Sequence, residues 1–245
     1  MSRYLPYSIY RKMDFIVILS VGRSGSTLLQ GILNAFDNVL IRGENEAFIA
    51  HLYQSFTALK RAREQALSIT PTTPESAWFG ADQYDLELYL NDMAAAVARQ
   101  ILGKNPFGSY LTIGFKEIRW SPRTMSPYVA LEDYTGFIER MFPRSKFILL
   151  TRDIAAILNS GWWPEWDAIE ASSEIDAFYA RARSLTVRDL FQIDYTELTA
   201  DGRKLQQLAH FVGKNFPTER IKAVLTTPHS GWSEPKASHP TFESY

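Results

Sequence analysis

The chain has 245 residues, a mass of 28.0 kDa and a hydrophobic content of 46%, which is enough for one α/β domain with a helical insertion. Its 26 Lys and Arg balance 27 Asp and Glu, so it lacks the global basic field that nucleic-acid binding favours, and we expect no nucleic-acid partner. The absence of cysteine excludes disulfides, thiolate nucleophiles and cysteine-ligated zinc, and the 4 histidines show no metal-ligand spacing, so we also expect no metal.

Residues 1–13 are basic and precede an apolar stretch, an arrangement that also begins secretory signal peptides. The apolar stretch is short, lacks a small-residue cleavage site and continues directly into a glycine-rich turn. No segment of the sequence is long and apolar enough to span a bilayer. We therefore expect a cytoplasmic protein with no membrane association.

The stretch from residue 15 to residue 33 carries the strongest local signal. Residues 15–19 form a short apolar run, FIVIL, which predicts a strand buried on both faces of a parallel sheet. Residues 28–33 resume with apolar residues at helical spacing. The turn between them consists of Gly22, Arg23, Ser24, Gly25, Ser26 and Thr27. Because the N–H groups at a helix N-terminus are unsatisfied and lie at the positive end of the helix dipole, this glycine-rich loop (residues 22–27) predicts an anion site.

The glycine-rich loop differs from the phosphate loop of nucleoside triphosphatases at one position. That loop has a lysine before its Ser/Thr, and the lysine reaches the β- and γ-phosphates. Here the cation comes early, at Arg23, and no lysine precedes Ser26 or Thr27. A magnesium–triphosphate site is therefore disfavoured, and an ordinary strand–turn–helix connection without a ligand is the alternative.

Two acidic residues follow the second predicted strand. Residues 39–41 are apolar and lead to Glu44 and Glu46. Ligands of open parallel sheets bind at the carboxyl ends of the strands. A carboxylate at this position is therefore a better functional candidate than one on a helix surface.

Strands and helices alternate along the rest of the chain. Residues 110–115 predict a strand that ends next to Lys116, and residues 146–151 predict the last strong strand. Helices are predicted over residues 28–33, 47–68, 84–102, 134–142, 154–160, 175–188 and 202–212, and an edge strand over residues 191–195. The alternation predicts a three-layer α/β/α fold around a central parallel sheet. We expect one domain over residues 1–245, with a helical insertion around residues 47–108.

Arg152 and Ser160 form a second candidate anion site. Arg152 follows a buried strand, and Ser160 comes about two helical turns later, so both can lie on one side of a strand–helix junction. A guanidinium offers a planar, permanently charged set of donors to a phosphate, and a serine hydroxyl adds one donor. The alternative is a structural arginine at the strand end, capped by Asp153.

The glycine-rich loop and the later pair of Arg152 and Ser160 together resemble the sulfotransferases that use 3′-phosphoadenosine 5′-phosphosulfate (PAPS), in the bacterial-type and tyrosylprotein-like branch. The likeness extends over residues 15–46 and 116–160, and residues 194–198 are similar to a stretch commonly found after the second motif. It implies PAPS as the sulfonate donor and a P-loop-like phosphosulfate-binding loop in the glycine-rich loop. It also implies that Arg152 and Ser160 bind the 3′-phosphate.

The resemblance assigns catalytic roles to three further side chains. Glu44 matches the glutamate that acts as general base, and Glu46 is its rival, because another branch places its glutamate just before an aromatic residue. Lys116 resembles the strand-end lysine that stabilises the leaving group, and Arg23 would share that role. The alternative for Lys116 is a solvated ion pair with Glu117, which would have little energetic weight.

The implied activity is sulfonate transfer from PAPS to a hydroxyl of a carbohydrate, a small molecule or a tyrosine. Trp162, Trp163 and Trp166 follow the second motif and can form an acceptor platform or pack a loop against the domain. The sequence gives no indication of the oligomeric state.

Two other functions compete with sulfonate transfer. One is a nucleotide or small-molecule kinase with an aberrant phosphate loop, in which Asp153 would bind magnesium. The other is a non-catalytic nucleotide-binding module that keeps both anion loops without a working base.

Overall fold

A parallel β-sheet lies at the centre of the chain in the computed structural model, which describes residues 7–69, 73–103, 110–200 and 202–227. Within these residues the sheet has five strands, in the order β2-β3-β1-β4-β5, and all pairs are parallel. The strands are β1 (Asp14–Leu19), β2 (Val39–Arg42), β3 (Thr112–Glu117), β4 (Ser145–Thr151) and β5 (Leu190–Asp194). The predicted central strand is therefore β1, and the predicted edge strand is β5.

Helices cover both faces of the sheet. They are α1 (Tyr7–Tyr10), α2 (Ser26–Asn34), α3 (Phe48–Ser68), α4 (Leu86–Leu102), α5 (Leu131–Met141), α6 (Ile154–Leu158), α7 (Ala168–Arg183), α8 (Tyr195–Ala200), α9 (Gly202–Val212) and α10 (Thr218–Thr226). Helices α3, α4, α5 and α7 bury their apolar side chains on one face, and α2, α8, α9 and α10 bury theirs on the other. The predicted three-layer α/β/α fold is confirmed.

Strand β1 supplies side chains to both cores because its residues alternate between the two faces of the sheet. Phe15 and Val17 pack in the core beneath α3–α5, whereas Ile16 and Ile18 pack in the core beneath α2. Phe15 is fully buried and stacks on Phe142 with ring centroids 3.8 Å apart. Burial of a phenylalanine side chain of this kind contributes about 1.5–3 kcal/mol to stability.

Some boundaries differ from the predicted ones, for local reasons. Helix α7 begins at Ala168 rather than at residue 175, because the Asp167 carboxylate accepts a hydrogen bond from the Glu170 N–H (2.9 Å) and caps the helix. Helix α6 ends at Leu158, before Ser160, and Gly161 then takes a positive φ of 65°.

Two further differences concern the ends of strands and short helices. Strand β3 runs two residues further than predicted and includes Lys116 and Glu117. Helices α8 and α10 were not predicted, since segments this short carry little periodic signal. The predicted single domain over residues 1–245 also includes residues 1–6 and 228–245, which lie outside the described residues.

The connections of the central strand open a crevice at its carboxyl end. Helix α2, which follows β1, packs on one face of the sheet, and α5, which connects β3 to β4, packs on the other. Chain segments leaving adjacent strands toward opposite faces leave room for a ligand between them.

None of the helices in the described part of the chain combines the length and the apolarity that crossing a membrane requires.

Candidate functional site

The glycine-rich loop joins β1 to α2 and is fixed from below by buried hydroxyls. Ser24 is fully buried, and its Oγ lies 2.5 Å from Ser20 Oγ and donates to the Val21 carbonyl (2.7 Å). Gly25 precedes α2 with a φ of 97°, and no side chain caps the first turn of that helix. The loop therefore presents uncapped helix N–H groups, while the Ser24 hydroxyl supports the loop from inside.

Gly25 allows an aromatic ring to approach the loop closely. A Cβ atom at this position would lie 2.4 Å from the Tyr195 ring, and the left-handed φ is itself unfavourable for other residues. The same ring contacts a cation, because the guanidinium carbon of Arg152 lies 4.3 Å from the ring centroid. Tyr195 thus lies between the loop and the end of β4.

A cavity of about 820 Å³ lies against the glycine-rich loop at the carboxyl edge of the sheet. Its walls include most of the predicted site residues: Gly22, Arg23, Gly25, Ser26, Thr27, Glu44, Lys116, Arg152 and Ser160. Ser24, whose side chain points into the protein, and Glu46 are not among them. The fold therefore brings together residues that are up to 138 positions apart in the sequence.

The two predicted anion sites are joined directly by hydrogen bonds. Arg23, at a positive φ of 68°, donates from its Nε to Ser160 Oγ (3.0 Å). Arg152 donates from its Nη1 to the Arg23 carbonyl (2.8 Å). These hydrogen bonds link the glycine-rich loop to the segment after β4 and place the two arginines close together.

Lys116 brings the end of the glycine-rich loop and a carboxylate together. Its ammonium nitrogen lies 2.7 Å from Glu44 Oε1 and 3.3 Å from Thr27 Oγ1. The lysine side chain is only 9% exposed, whereas that of Glu44 is 35% exposed. A nearly buried cation therefore lies against the loop, and a carboxylate that solvent or a ligand can reach lies beside it.

Arg119 contacts three carboxylates and was not singled out from the sequence. Its guanidinium lies 3.6 Å from Glu44, 2.6 Å from Glu46 and 3.2 Å from Glu117. The Glu46 side chain is 80% exposed and is directed toward this arginine on the surface. Glu44 rather than Glu46 therefore shares a cavity with the loop.

The segment before α3 is held in place by a fully buried carboxylate. Glu46 and Ala47 both have positive φ values, of 56° and 52°, which are uncommon for residues other than glycine. Glu117 accepts hydrogen bonds from the backbone N–H groups of Ala47 (3.0 Å) and Ile118 (2.8 Å). Burial raises the pKa of Glu117 above its usual value near 4.5, and the hydrogen bonds and the charge of Arg119 oppose that shift.

The three neighbouring tryptophans have different positions. Trp162 lines the 820 Å³ cavity and packs against Gly22, where a Cβ would lie 2.4 Å from its ring. Trp163 is buried and donates from its indole N–H to the Gly22 carbonyl (3.0 Å). Trp166 packs on Trp163, with ring centroids 5.2 Å apart. Part of this motif therefore packs the loop, and part of it borders a cavity.

Asp153, the magnesium ligand of the kinase alternative, is engaged elsewhere. Its carboxylate accepts a hydrogen bond from the Ala156 N–H (2.8 Å) and caps α6, and it does not line the cavity. Among the residues that the structure describes, no group of three or more acidic, histidine or cysteine side chains could hold a metal ion. The position of Asp153 disfavours the kinase alternative.

Sequence reasoning missed Arg119 and Tyr195 as site residues for different reasons. Tyr195 lies within residues 194–198, which belong to the resemblance described above, so a signal was present without an assigned role. Arg119 lies 73 residues from Glu46, and no local pattern reveals that contact.

Comparison with known proteins identifies the family. A search among curated proteins gives no significant match. A family model described as the sulfotransferase family matches residues 15–218, a range that includes the glycine-rich loop, Glu44, Lys116, Arg152 and Ser160. Because this match covers well over half of the 245 residues, the chain belongs to the sulfotransferase family.

Proposed function

We propose that this chain transfers a sulfonate group from PAPS to a hydroxyl of an acceptor molecule. The observation that carries the proposal is the position of Lys116, whose ammonium contacts both Thr27 in the glycine-rich loop and Glu44. These groups line the same cavity as Arg152 and Ser160. A cation, a carboxylate and an anion-binding loop are the three parts that sulfonyl transfer requires.

The donor groups of the cavity fit a nucleotide with phosphates at both ends. The uncapped N–H groups of α2 and the guanidinium of Arg23 suit the 5′-phosphosulfate. Arg152 and Ser160 suit the 3′-phosphate, and the rings of Trp162 and Tyr195 offer aromatic surface to a purine. We infer that these residues bind PAPS before the reaction and its desulfated product PAP afterwards.

PAPS would supply a sulfonate that is already activated by its phosphate leaving group. In our proposal Glu44 accepts the proton of the acceptor hydroxyl as the new bond forms between the acceptor oxygen and sulfur. The bond between sulfur and the bridging phosphate oxygen breaks, and Lys116 and Arg23 stabilise the negative charge that grows on that oxygen. The proton ends on Glu44, and PAP carries away the electron pair of the broken bond.

Arg119 gives Glu44 a second cationic partner. If Lys116 turns toward the leaving group, Glu44 loses its closest positive charge, but Arg119 lies 3.6 Å from its other carboxylate oxygen. Arg119 would then hold Glu44 near the acceptor side of the cavity. We propose Arg119 as a positioning residue and Glu44, rather than Glu46, as the base.

Calorimetric titration of the protein with PAP and with ATP plus Mg²⁺ tests the proposed function. We expect PAP to bind and ATP with Mg²⁺ to bind much more weakly, because the glycine-rich loop has no lysine before Ser26. Tight ATP binding without PAP binding would overturn the proposal in favour of a kinase.

A cytoplasmic location of the protein remains a prediction.

A further inference from the structure

A second cavity adjoins the proposed donor site. It has a volume of about 200 Å³ and lies on the side of the sheet covered by α5 and α7. Ile118 lines both cavities. Trp162 lines the large cavity, and Trp163, the next residue, lines the small one. The two cavities therefore share a wall beside the glycine-rich loop and the end of β3.

The wall of the small cavity is mainly aromatic and aliphatic. Trp120, Trp163 and Phe178 contribute rings, and Leu131 and Ile175 contribute aliphatic side chains. Both indole N–H groups are occupied, since Trp120 donates to the Ser20 carbonyl (2.7 Å) and Trp163 to the Gly22 carbonyl (3.0 Å). The rings thus offer their carbon surfaces to the cavity.

The charged side chains that line the small cavity are already paired. Arg181 lies 2.6 Å from Glu132 and donates to the Tyr128 hydroxyl (3.1 Å). Glu174 lies 3.3 Å from Arg123. A charged ligand would therefore have to compete with an existing ion pair for each charge.

The small hydroxyls of the cavity wall are also engaged within the protein. Ser121 Oγ lies 3.1 Å from Thr124 Oγ1, and Thr124 Oγ1 also accepts from the backbone N–H groups of Trp120 and Ser121. A sugar, which needs several polar partners to replace its water, would find these groups already bonded. The lining therefore favours an apolar ligand.

We propose that the small cavity binds the acceptor and that the acceptor is a small, uncharged aromatic alcohol. The proposal rests on the proposed function, because Glu44 and Lys116 line the neighbouring cavity across Ile118. The aromatic ring packs among Trp120, Trp163 and Phe178, and the hydroxyl lies toward the shared wall. Removal of a ring from water drives binding, and the reacting oxygen is directed toward the cavity that Glu44 lines.

Calorimetry with 2-naphthol, in the presence of saturating PAP, tests the proposal without relying on turnover. Ala177 lies on the exposed side of α7 and lines the cavity, so Ala177→Phe should fill its mouth without disturbing the core. Ala180 is exposed on the same helix and does not line the cavity, which makes Ala180→Phe the matched control.

We expect 2-naphthol to bind at least about tenfold more tightly than 2-naphthoate, which has the same rings and a negative charge, or N-acetylglucosamine. Ala177→Phe should weaken 2-naphthol about tenfold or more, and Ala180→Phe should change its affinity by no more than about twofold. Both variants should bind PAP like the original chain.

The failure of this proposal is distinguishable from the failure of the proposed function. If PAP binds but 2-naphthol does not, or if the two phenylalanine variants weaken 2-naphthol equally, the acceptor assignment is wrong and sulfonate transfer stands. If 2-naphthol binds more tightly than the comparison ligands but PAP does not bind, the proposed function fails. The assignment of the acceptor then fails with it.

Discussion

The ammonium nitrogen of Lys116 lies 2.7 Å from Glu44 Oε1, so the proposed base and the proposed leaving-group cation form an ion pair. Lys116 comes from β3, next to the central strand, and Glu44 follows β2. A sulfonate donor on the glycine-rich loop and an acceptor hydroxyl would each compete for one member of this pair. Under the proposed function, binding of the two substrates would thus be linked to separation of the two charges.

Glu44→Gln should lower turnover by about 10²–10⁴-fold, because glutamine cannot accept the proton of the acceptor hydroxyl. PAP affinity should change little, and calorimetry with PAP checks that the donor site is intact. Glu46→Gln is the matched control, since Glu46 is exposed and contacts Arg119 outside the cavity. Near-full activity of Glu44→Gln together with loss in Glu46→Gln would move the base by two residues. A chain that loses nothing in either variant would be a non-catalytic binding module.

Lys116→Ala should slow transfer by about 10²-fold or more, since a donor aimed at the developing charge is lost. The effect should lie mainly in kcat, with a smaller change in the affinity for the acceptor. Lys60→Ala is the control, because Lys60 lies exposed on α3 and pairs with the neighbouring Glu64. Equal rates for the Lys116 variant and the original chain would remove Lys116 from the reaction.

Arg152→Ala should weaken PAP by about 10–100-fold, which corresponds to the 1.5–3 kcal/mol of a hydrogen bond to a charged group. Adenosine 5′-phosphosulfate lacks the 3′-phosphate and should lose less. Some loss is expected for it too, because Arg152 also donates to the Arg23 carbonyl in the glycine-rich loop. Calorimetry with both ligands makes the comparison, and equal losses would place the 3′-phosphate elsewhere.

Glu117→Gln should remove a pH dependence of stability. The pKa of folded Glu117 is raised, so the folded chain keeps this proton to a higher pH than the unfolded chain does. The free energy of unfolding that Glu117 contributes is therefore greatest below the usual pKa near 4.5 and falls as the pH rises through the folded pKa.

Urea unfolding of the original chain and of Glu117→Gln between about pH 4 and pH 7 measures this contribution. As the pH rises across this interval, the original chain should lose unfolding free energy relative to the variant. A constant difference would contradict the raised pKa. At neutral pH we also expect the loss of a hydrogen bond to lower the stability of the variant, since the amide offers an N–H where the Ala47 N–H needs an acceptor.

Gly25→Ala should destabilise the fold by about 1–3 kcal/mol, from the left-handed φ and the displaced Tyr195 ring, and should weaken PAP. Gly136→Ala is the control, because Gly136 lies within α5 and an added Cβ meets nothing within 4 Å. That variant should gain roughly 0.5–1 kcal/mol, as expected for alanine in a helix interior. Denaturant unfolding of both proteins provides the comparison, and a stable Gly25→Ala with unchanged PAP affinity would contradict the packing argument.

Features that depend on residues close together in the sequence were predicted well. The FIVIL run predicted the central strand, and the glycine-rich loop and the residues just after the strands identified most of the cavity wall, because parallel strands deliver their carboxyl ends to one edge. The order of the strands across the sheet follows from pairing between distant segments and was not predicted.

Side-chain direction was harder to predict. Nothing in the sequence shows that the Ser24 hydroxyl turns inward to Ser20, or that Trp162 and Trp163 line different cavities. Arg119 was missed because its carboxylate partners include Glu44 and Glu46, which are far from it in the sequence. Helices α3 and α4 separate these residues along the chain. Such arrangements depend on tertiary packing, which local patterns do not encode.

The contact between Lys116 and Thr27 joins residues 89 positions apart and has a consequence for how the molecule assembles. The glycine-rich loop can form locally, but its lysine arrives only when β3 pairs with β1, and Arg152 arrives only with β4. Non-local contacts of this kind form slowly, because a long loop must close first. A nascent chain that ends after α3 would carry the glycine motif without Lys116 or Arg152, so the proposed donor binding would require the completed sheet.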